Sequence, residues 1–542
     1  MTAILLPASL ALPLAMLLAC IGRSGRERML SWLVLAPLPA VAAAMLAAGQ
    51  PPLLLSPDRL RFGLALAAPQ ALLLGAAAVL WSAAGAYAAT YLRHQAHGGR
   101  FAVFWLLTLT GSLGVFIAAD LASFYLAFAL VSIAAWGLVV HDGTPRARRA
   151  GAIYLVLAVL GEIFLLAGFI LLAVDTPGDT LAIADIMAAL PDSARRGPAL
   201  VLLLAGFGLK AGLVPLHVWL PIAHPAAPMP ASAVLSGAIV KAGVVGLIVF
   251  LPLGRAMPGW GEALAALGLV TAFYGAAVGI TQDNAKTVLA YSSVSQMGLT
   301  AAVLGMAWAA GAAPHAMTVA FYASHHVLVK GALFLAVGVV AATARPRLLP
   351  ILLPTALLAL GVAGLPLTGG AVAKLAIKPV LGEGGVALLA ALSGVASTML
   401  MLHFLQRLAV LAAPSPDGRP SRGLVLPWLV MALAALAVPW ALYPAATGDV
   451  RWAPLMPGAL WEAAWPVLTG AALSLLLRRW RADLPHIPEG DVAVVGETAM
   501  RAAALWGAKL ERLDDALGTW PATGLALLVL TLLLGLAMRG IG

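Results

Sequence analysis

Residues 206–249 read GFGLKAGLVPLHVWLPIAHPAAPMPASAVLSGAIVKAGVVGLIV, and this stretch decides the fold. Lys210 and Lys241 lie inside apolar runs of hydrocarbon length, and five prolines, from Pro215 to Pro230, are packed between them. The surrounding chain is built to hold such a stretch in a membrane. Across 542 residues, 62% are hydrophobic, 10% are charged and the mean hydropathy is +0.99. Such a chain has too few polar side chains to cover a water-facing surface. Its apolar runs of roughly 18 to 25 residues fit helices crossing hydrocarbon and are too long for barrel strands of about ten. Ala, Leu, Gly and Val dominate, which suits helices packed through small residues. The fold class is therefore an all-α polytopic membrane protein.

Outward from this stretch, hydropathy predicts about 14 to 16 transmembrane helices. The spans expected are 3–21, 29–49, 71–92, 102–119, 121–140, 150–173, 199–216, 231–253, 261–281, 286–307, 315–342, 349–371, 385–408, 423–443, 459–477 and 521–540. Positive residues gather in alternate loops: Arg23, Arg26 and Arg28; Arg93 and Arg100; Arg146, Arg148 and Arg149; Lys286; Arg345 and Arg347; Arg407, Arg419 and Arg422; Arg478, Arg479 and Arg481. The loop 174–198 instead carries Asp175, Asp179, Asp185 and Asp192 against Arg195 and Arg196. By the positive-inside rule the basic loops are cytoplasmic and both termini face outward, in the inner (cytoplasmic) membrane. The formal charge of +10 thus sets orientation and gives no support to nucleic-acid binding. The first apolar run, to Ile21, lacks a basic start and is followed by arginines, so it is expected to be an uncleaved span.

The expected organisation is 1–100 as N-terminal helices with an outer hairpin within 50–66, 101–255 and 256–410 as two repeats, 411–480 as C-terminal helices, 481–520 as a cytoplasmic amphipathic segment, and 521–542 as a final helix. The single cysteine, Cys20, excludes an internal disulfide, and no Cys/His spacing points to zinc or an iron–sulfur cluster. No cofactor and no metal are expected. No nucleophile stands with a base at motif spacing, so a non-catalytic membrane subunit of an oxidoreductase or ion-translocating complex is expected.

An ionisable side chain at the bilayer centre costs at least about 2.5 to 3.5 kcal/mol on insertion scales, so each needs a partner or a function. Glu162 is mid-span in YLVLAVLGEIFLLAGFILL, Lys210 in VLLLAGFGLKAGL, Lys241 in SAVLSGAIVKAGVVGL, Lys330 in ASHHVLVKGALFLAVG and Lys374 in GGAVAKLAIKPVL. His217, His224, His325, His326 and His403 are available among them. Desolvation disfavours a buried ammonium and a nearby carboxylate favours it, so a Glu–Lys pair can exchange a proton when the local field changes. A fixed pair that only locks helices accounts for Glu162 with Lys210, but it does not require further lysines strung along the chain. Gly and Pro break the helical ladder near lysines in LKAGLVPLHVWLP and GLPLTGGAVAK, which predicts broken helices near Pro215 and Pro366. Such breaks usually line a hydrated path, the alternative being a packing kink. Two breaks five spans apart also suggest two inverted five-helix repeats.

The run LKAGLVPLHVWLPIAHPAAPMPASAVLSGAIVKAGVVGL resembles the signature of the antiporter-like subunits of respiratory complex I, membrane-bound hydrogenases and Mrp-type cation/proton antiporters. TQDNAKTVLAYSSVSQMG, SHHVLVKGALFLAVG and GLPLTGGAVAK agree with it, and the resemblance covers roughly residues 70 to 410. It implies a hydrated axis at Lys210, Lys241, His326, Lys330 and Lys374, with His217 beside the cytoplasmic end of the broken helix and the two half-channels joined through Lys241. The sequence departs from the family where FYLAFAL puts Ala129 in place of the fifth-span glutamate. Glu162 in the next span is the expected substitute, and Asp120 at the outer mouth a weaker one. Ile222 also stands where the family often has an acid.

The function expected is a proton-translocating subunit of a multisubunit membrane complex, with other membrane subunits, a soluble or peripheral energy-converting subunit and lipid as partners. Three alternatives stand beside it: a subunit of an Mrp-like Na⁺/H⁺ antiporter, a membrane subunit energising a cytoplasmic inorganic-carbon uptake module, and a non-conducting scaffold.

Overall fold

The computed structural model describes residues 2–54, 62–93, 95, 97–178, 180–415, 417–477, 487–492 and 494. The chain forms two compact units, Met1–Glu489 and Gly490–Gly542, and every helix below belongs to the first. The expected span 521–540 and most of the expected amphipathic segment 481–520 lie outside the described residues.

The N-terminal part comprises α1 (Thr2–Ala19), α2 (Arg23–Trp32), α3 (Leu38–Leu46) and α4 (Ala68–Tyr91). The single span expected over 29–49 is thus two helices with a turn between them. Strands β1 (Leu53–Leu54) and β2 (Gly63–Leu64), within the stretch read as an outer hairpin, pair antiparallel. Next come α5 (Gly98–Ile117), α6 (Leu121–Val139), α7 (Pro145–Asp175), the short α8 (Ile183–Ala189), α9 (Arg196–Ala211), α10 (Trp219–Ala226), α11 (Met229–Val234) and α12 (Lys241–Phe250). They are followed by α13 (Pro258–Ile280), α14 (Ala285–Ala310), α15 (His315–Ala341), α16 (Leu349–Ala363), α17 (Gly369–Leu381) and α18 (Gly385–Val410). The last described helices are α19 (Arg422–Thr447) and α20 (Pro457–Leu477). Among the described residues, 11 helices are long and apolar enough to cross a membrane, with shorter apolar helices at Ile4–Ala19 and Leu349–Ala363.

Two successive sets of five share one pattern: three continuous helices, a broken helix, then another crossing. In the first set these are α5, α6, α7, α9 with α10, and α11 with α12; in the second, α13, α14, α15, α16 with α17, and α18. An odd number of crossings makes the second set start on the opposite side from the first, so the two are inverted. Parity also puts most of the arginine-bearing loops on one face, here termed the basic face, and the β-hairpin on the other, together with Arg195, Arg196 and Arg255. Contacts between loops agree with this sorting. On the basic face Arg100 donates to the carbonyl of His141 and Arg407 pairs with Asp283; on the hairpin face Arg255 pairs with Asp192, and Leu121 N–H donates to the carbonyl of Leu181.

Burial follows the helical period. Along α7, Val156, Val159, Ile163, Leu166, Ile170 and Val174 are exposed, whereas Tyr154, Ala158, Glu162, Leu165, Phe169 and Leu172 are buried. The exposed stripe is apolar, as lipid requires, and the mid-helix acid, Glu162, lies on the inward stripe. The apolar middles of α14 and α15 are buried throughout, so these two helices form the centre of the bundle.

Candidate functional site

Both predicted breaks are present. α9 ends at Gly212, whose φ of +81° is left-handed backbone that glycine adopts without a Cβ penalty, and the chain resumes as α10 at Trp219. The backbone freed between them is satisfied from the side: the Trp219 indole donates to the carbonyl of Leu209 at 2.9 Å, and Val214 N–H donates to Thr271 Oγ1 at 3.2 Å. The second break lies between α16, closed by Gly364 at φ +106°, and α17, whose first turn is capped by Thr368. The span expected over 349–371 is therefore split, and its second half, 369–381, continues beyond the predicted end.

At the first break Lys210 is 3% exposed, and its ammonium donates to Ser132 Oγ at 2.8 Å and more weakly to Tyr154 Oη at 3.5 Å. Tyr154 in turn donates to the carbonyl of Ser132 at 2.8 Å, and the Phe128 ring lies 5.6 Å from the ammonium. Glu162 is buried, within electrostatic reach of Lys210 and of the Ser132 hydroxyl, yet neither carboxylate oxygen makes a regular hydrogen bond to a described residue. The expected pairing of Glu162 with Lys210 is thus a linkage around Ser132, with no direct ion pair between them among the described residues. Ala129 is half-buried one helical turn before Ser132.

The next lysine stands where the two five-helix sets meet. A π-helical turn, Leu235–Ile239, precedes α12 and widens the helix just before Lys241; such turns recur at functional sites. Lys241 Nζ lies 2.7 Å from His326 Nδ1 and 3.7 Å from Met297 Sδ, with the lysine fully buried. Two bases at this distance need one shared proton: the ammonium donates to a neutral imidazole, or the imidazole N–H donates to a neutral amine. One turn along α15, the fully buried Lys330 donates to the carbonyl of Leu289 at 3.1 Å. At the second break Lys374 donates to the carbonyl of Ala363 at 2.5 Å. Gly364 and Gly394 leave it that room: a Cβ on Gly364 would lie 2.9 Å from Lys374 Cδ, and one on Gly394 would lie 3.2 Å from its Nζ.

The family model described as NADH:quinone oxidoreductase/Mrp antiporter, TM, matches residues 118–400, just over half of the chain. The chain belongs to this family. It is 36% identical over 312 residues to an uncharacterised protein of Mycobacterium tuberculosis, covering 54% of this chain and 48% of that one. To hydrogenase-4 component B of Escherichia coli it is 30% identical over 270 residues, covering 47% and 39%. To an NAD(P)H-quinone oxidoreductase chain 4 of Synechococcus it is 32% identical over 205 residues, covering 37% and 39%. The chain thus spans about half the length, or less, of these curated relatives. Among solved structures, a chain of the Mrp complex from Dietzia aligns with a TM-score of 0.77 at 23% identity, over 100% of this chain and 63% of that one. A chain of an archaeal membrane-bound sulfane sulfur reductase aligns at 0.69 and 22%, over 87% and 99%. These two likenesses carry the fold alone, that of a multi-pass, all-α membrane protein.

Within that family fold the remaining expected residues fall into distinct environments. His217, in the first break, packs its ring 5.1 Å from Tyr274. His224 is fully buried 4.8 Å from the Phe334 ring and within electrostatic reach of Lys286 and Lys330. His325 lies against the start of α17, where a Cβ on Gly370 would come 3.1 Å from its ring. Two others have structural contacts away from the lysines. Asp120 caps α6, accepting from Ser123 N–H at 2.8 Å and from Gly63 N–H of β2 at 2.7 Å. It stands twelve residues from Ser132 on one helix, about 18 Å at 1.5 Å per residue, too far to replace an acid beside Lys210. His403 Nε2 contacts the carbonyl of Gln282 at 2.6 Å and so ties α18 to the basic face.

Sequence reasoning missed three contributors. Ser132 is an unremarked hydroxyl in an apolar helix; its place one turn from Ala129 is the signal that could have found it. Tyr154 lies eight residues before Glu162, on the same helical stripe. Lys286, read as a loop charge, is buried in the first turn of α14, and its ammonium donates to the carbonyl of Ala227 just past α10.

Proposed function

We propose that the chain is a proton-translocating, antiporter-like subunit of a multisubunit membrane complex, with the basic face cytoplasmic. The observation that carries this reading is the 2.7 Å contact between Lys241 of the first helical set and His326 of the second, a shared-proton pair sealed from solvent at the junction of the inverted sets. On this reading a proton enters the Lys210 site, passes through Lys241, His326 and Lys330, and leaves at Lys374. Each group rests on a polar neighbour that holds it without neutralising it: a hydroxyl, an imidazole or a backbone carbonyl. A change of charge at one lysine therefore alters its neighbour's hold on a proton. Glu162 replaces the fifth-span acid by acting on Lys210 around Ser132. The drive comes from a reaction in a partner, since moving one charge against 100 mV takes about 2.3 kcal/mol. The subunit names of the relatives, among them hydrogenase-4 component B and a putative antiporter subunit of Staphylococcus, support a place in such an assembly.

The test is Lys210→Ala in the assembled complex. Proton transport is expected to fall by about a hundredfold or more, the range of a lost proton-transfer group, with subunit composition unchanged. Transport at the wild-type rate would leave the chain a non-conducting scaffold.

A further inference from the structure

The family match stops at residue 400, but α20, farther along the chain, brings a carboxylate to the end of the same axis. A cavity of about 240 Å³ opens between α17, α18 and α20, lined among others by Gly364, Lys374, Lys378, Glu462 and Pro466. Lys374 and Lys378 are four residues apart on α17, so their side chains lie one turn apart along the same wall. The inner one, Lys374, holds the Ala363 carbonyl at the second break. The outer one, Lys378, donates to Glu462 Oε1 at 2.5 Å, the two side chains being 53% and 45% exposed. Lys378 is three residues from the end of α17 and Glu462 five from the start of α20. At 1.5 Å per residue the pair therefore lies about 5 to 8 Å below the hairpin-face ends of these helices, at the polar boundary of a bilayer. The cavity thus connects that boundary to the Lys374 ammonium and has room for several waters.

We propose that Glu462 is the terminal proton acceptor on the hairpin face. A proton leaves the Lys374 ammonium, crosses the cavity through water and protonates the Glu462 carboxylate; the carboxylic acid then releases it to water at the boundary. Lys378 holds the carboxylate at the mouth between transfers. The inference rests on reading Lys374 as the end of the proton path, and it adds the group that completes the path to the aqueous face. A lock between α17 and α20 would need the ion pair but no cavity behind it leading to a second lysine.

The test uses the full chain in its native complex in sealed vesicles, with proton flux read by a pH-sensitive dye and assembly by subunit composition. Glu462→Gln is expected to lower flux by about tenfold or more at unchanged assembly. Lys378→Gln, which breaks the ion pair but keeps the carboxylate, is expected to cause a clearly smaller loss, and Glu462→Asp to recover part of the flux. Wild-type flux in Glu462→Gln overturns the proposal, and so does a loss in Lys378→Gln as deep as that in Glu462→Gln, which is the behaviour of a lock. Lys210→Ala in the same vesicles separates the two readings: if it conducts normally, the proton path itself is wrong, whereas if it is silent while Glu462→Gln conducts, only the exit assignment fails.

Discussion

At the scale of single residues, the informative group is the carboxylate that stands apart. Glu162 is buried on the inward stripe of α7, and its oxygens lack regular hydrogen bonds to described residues. A buried carboxyl left in that condition costs stability, which its electrostatic link to Lys210 partly offsets. Ala129 lies one turn from the serine that holds Lys210, so an acid placed there would face the same ammonium. Glu162→Gln is therefore expected to slow proton flux by about tenfold or more, and adding Ala129→Glu to restore part of it. Flux through each variant, at equal assembly, checks the pair; no rescue by the second change would show that the two positions do not serve one lysine.

Lys210, Lys241, Lys330 and Lys374 were legible because a lysine in a hydrocarbon-length run needs a partner or a function. Ser132 and Tyr154 were not legible. Hydroxyls are common in membrane helices, where they bond within the helix or across to a neighbour, and only the fold tells which one meets an ammonium. Lys286 misled for another reason. Counting positive residues assigns a cation at a helix end to a solvated loop, whereas this one turns inward to the carbonyl of Ala227.

At the scale of elements, α13 and α14, the first two helices of the second set, are held together by backbones in close approach. Gly268 of α13 and Gly298 of α14 face each other so closely that a Cβ on either would lie 2.5 Å from the other's carbonyl oxygen. Gly261 with Gly305, seven residues away on each helix, repeats the arrangement. This is small-residue packing of the kind that replaces the hydrophobic effect inside lipid. Gly268→Ala is expected to destabilise the protein by about 1 to 3 kcal/mol, as overpacking does. Thermal unfolding in detergent would check it, and an unchanged midpoint would mean that the seam tolerates separation. The continuous helices were legible from hydropathy because each is a long apolar run, whereas the span expected over 29–49 is two helices. The breaks were legible because Gly and Pro flank them. What the sequence did not reveal is where the chain resumes after each break, since α10 and α17 are short and contain proline.

At the scale of the whole molecule, the proposed proton path passes from one inverted set to the other at the contact between Lys241 and His326. Lys241→Met keeps the length and bulk of the side chain and removes its proton, so packing around Met297 and the π-helical turn is expected to survive. The decisive measurement is proton flux of the intact complex in sealed vesicles carrying this one change. A fall of about a hundredfold or more is expected, with every subunit still present. Flux equal to wild type would contradict it, because a proton would then be crossing the membrane without passing between the two sets at Lys241.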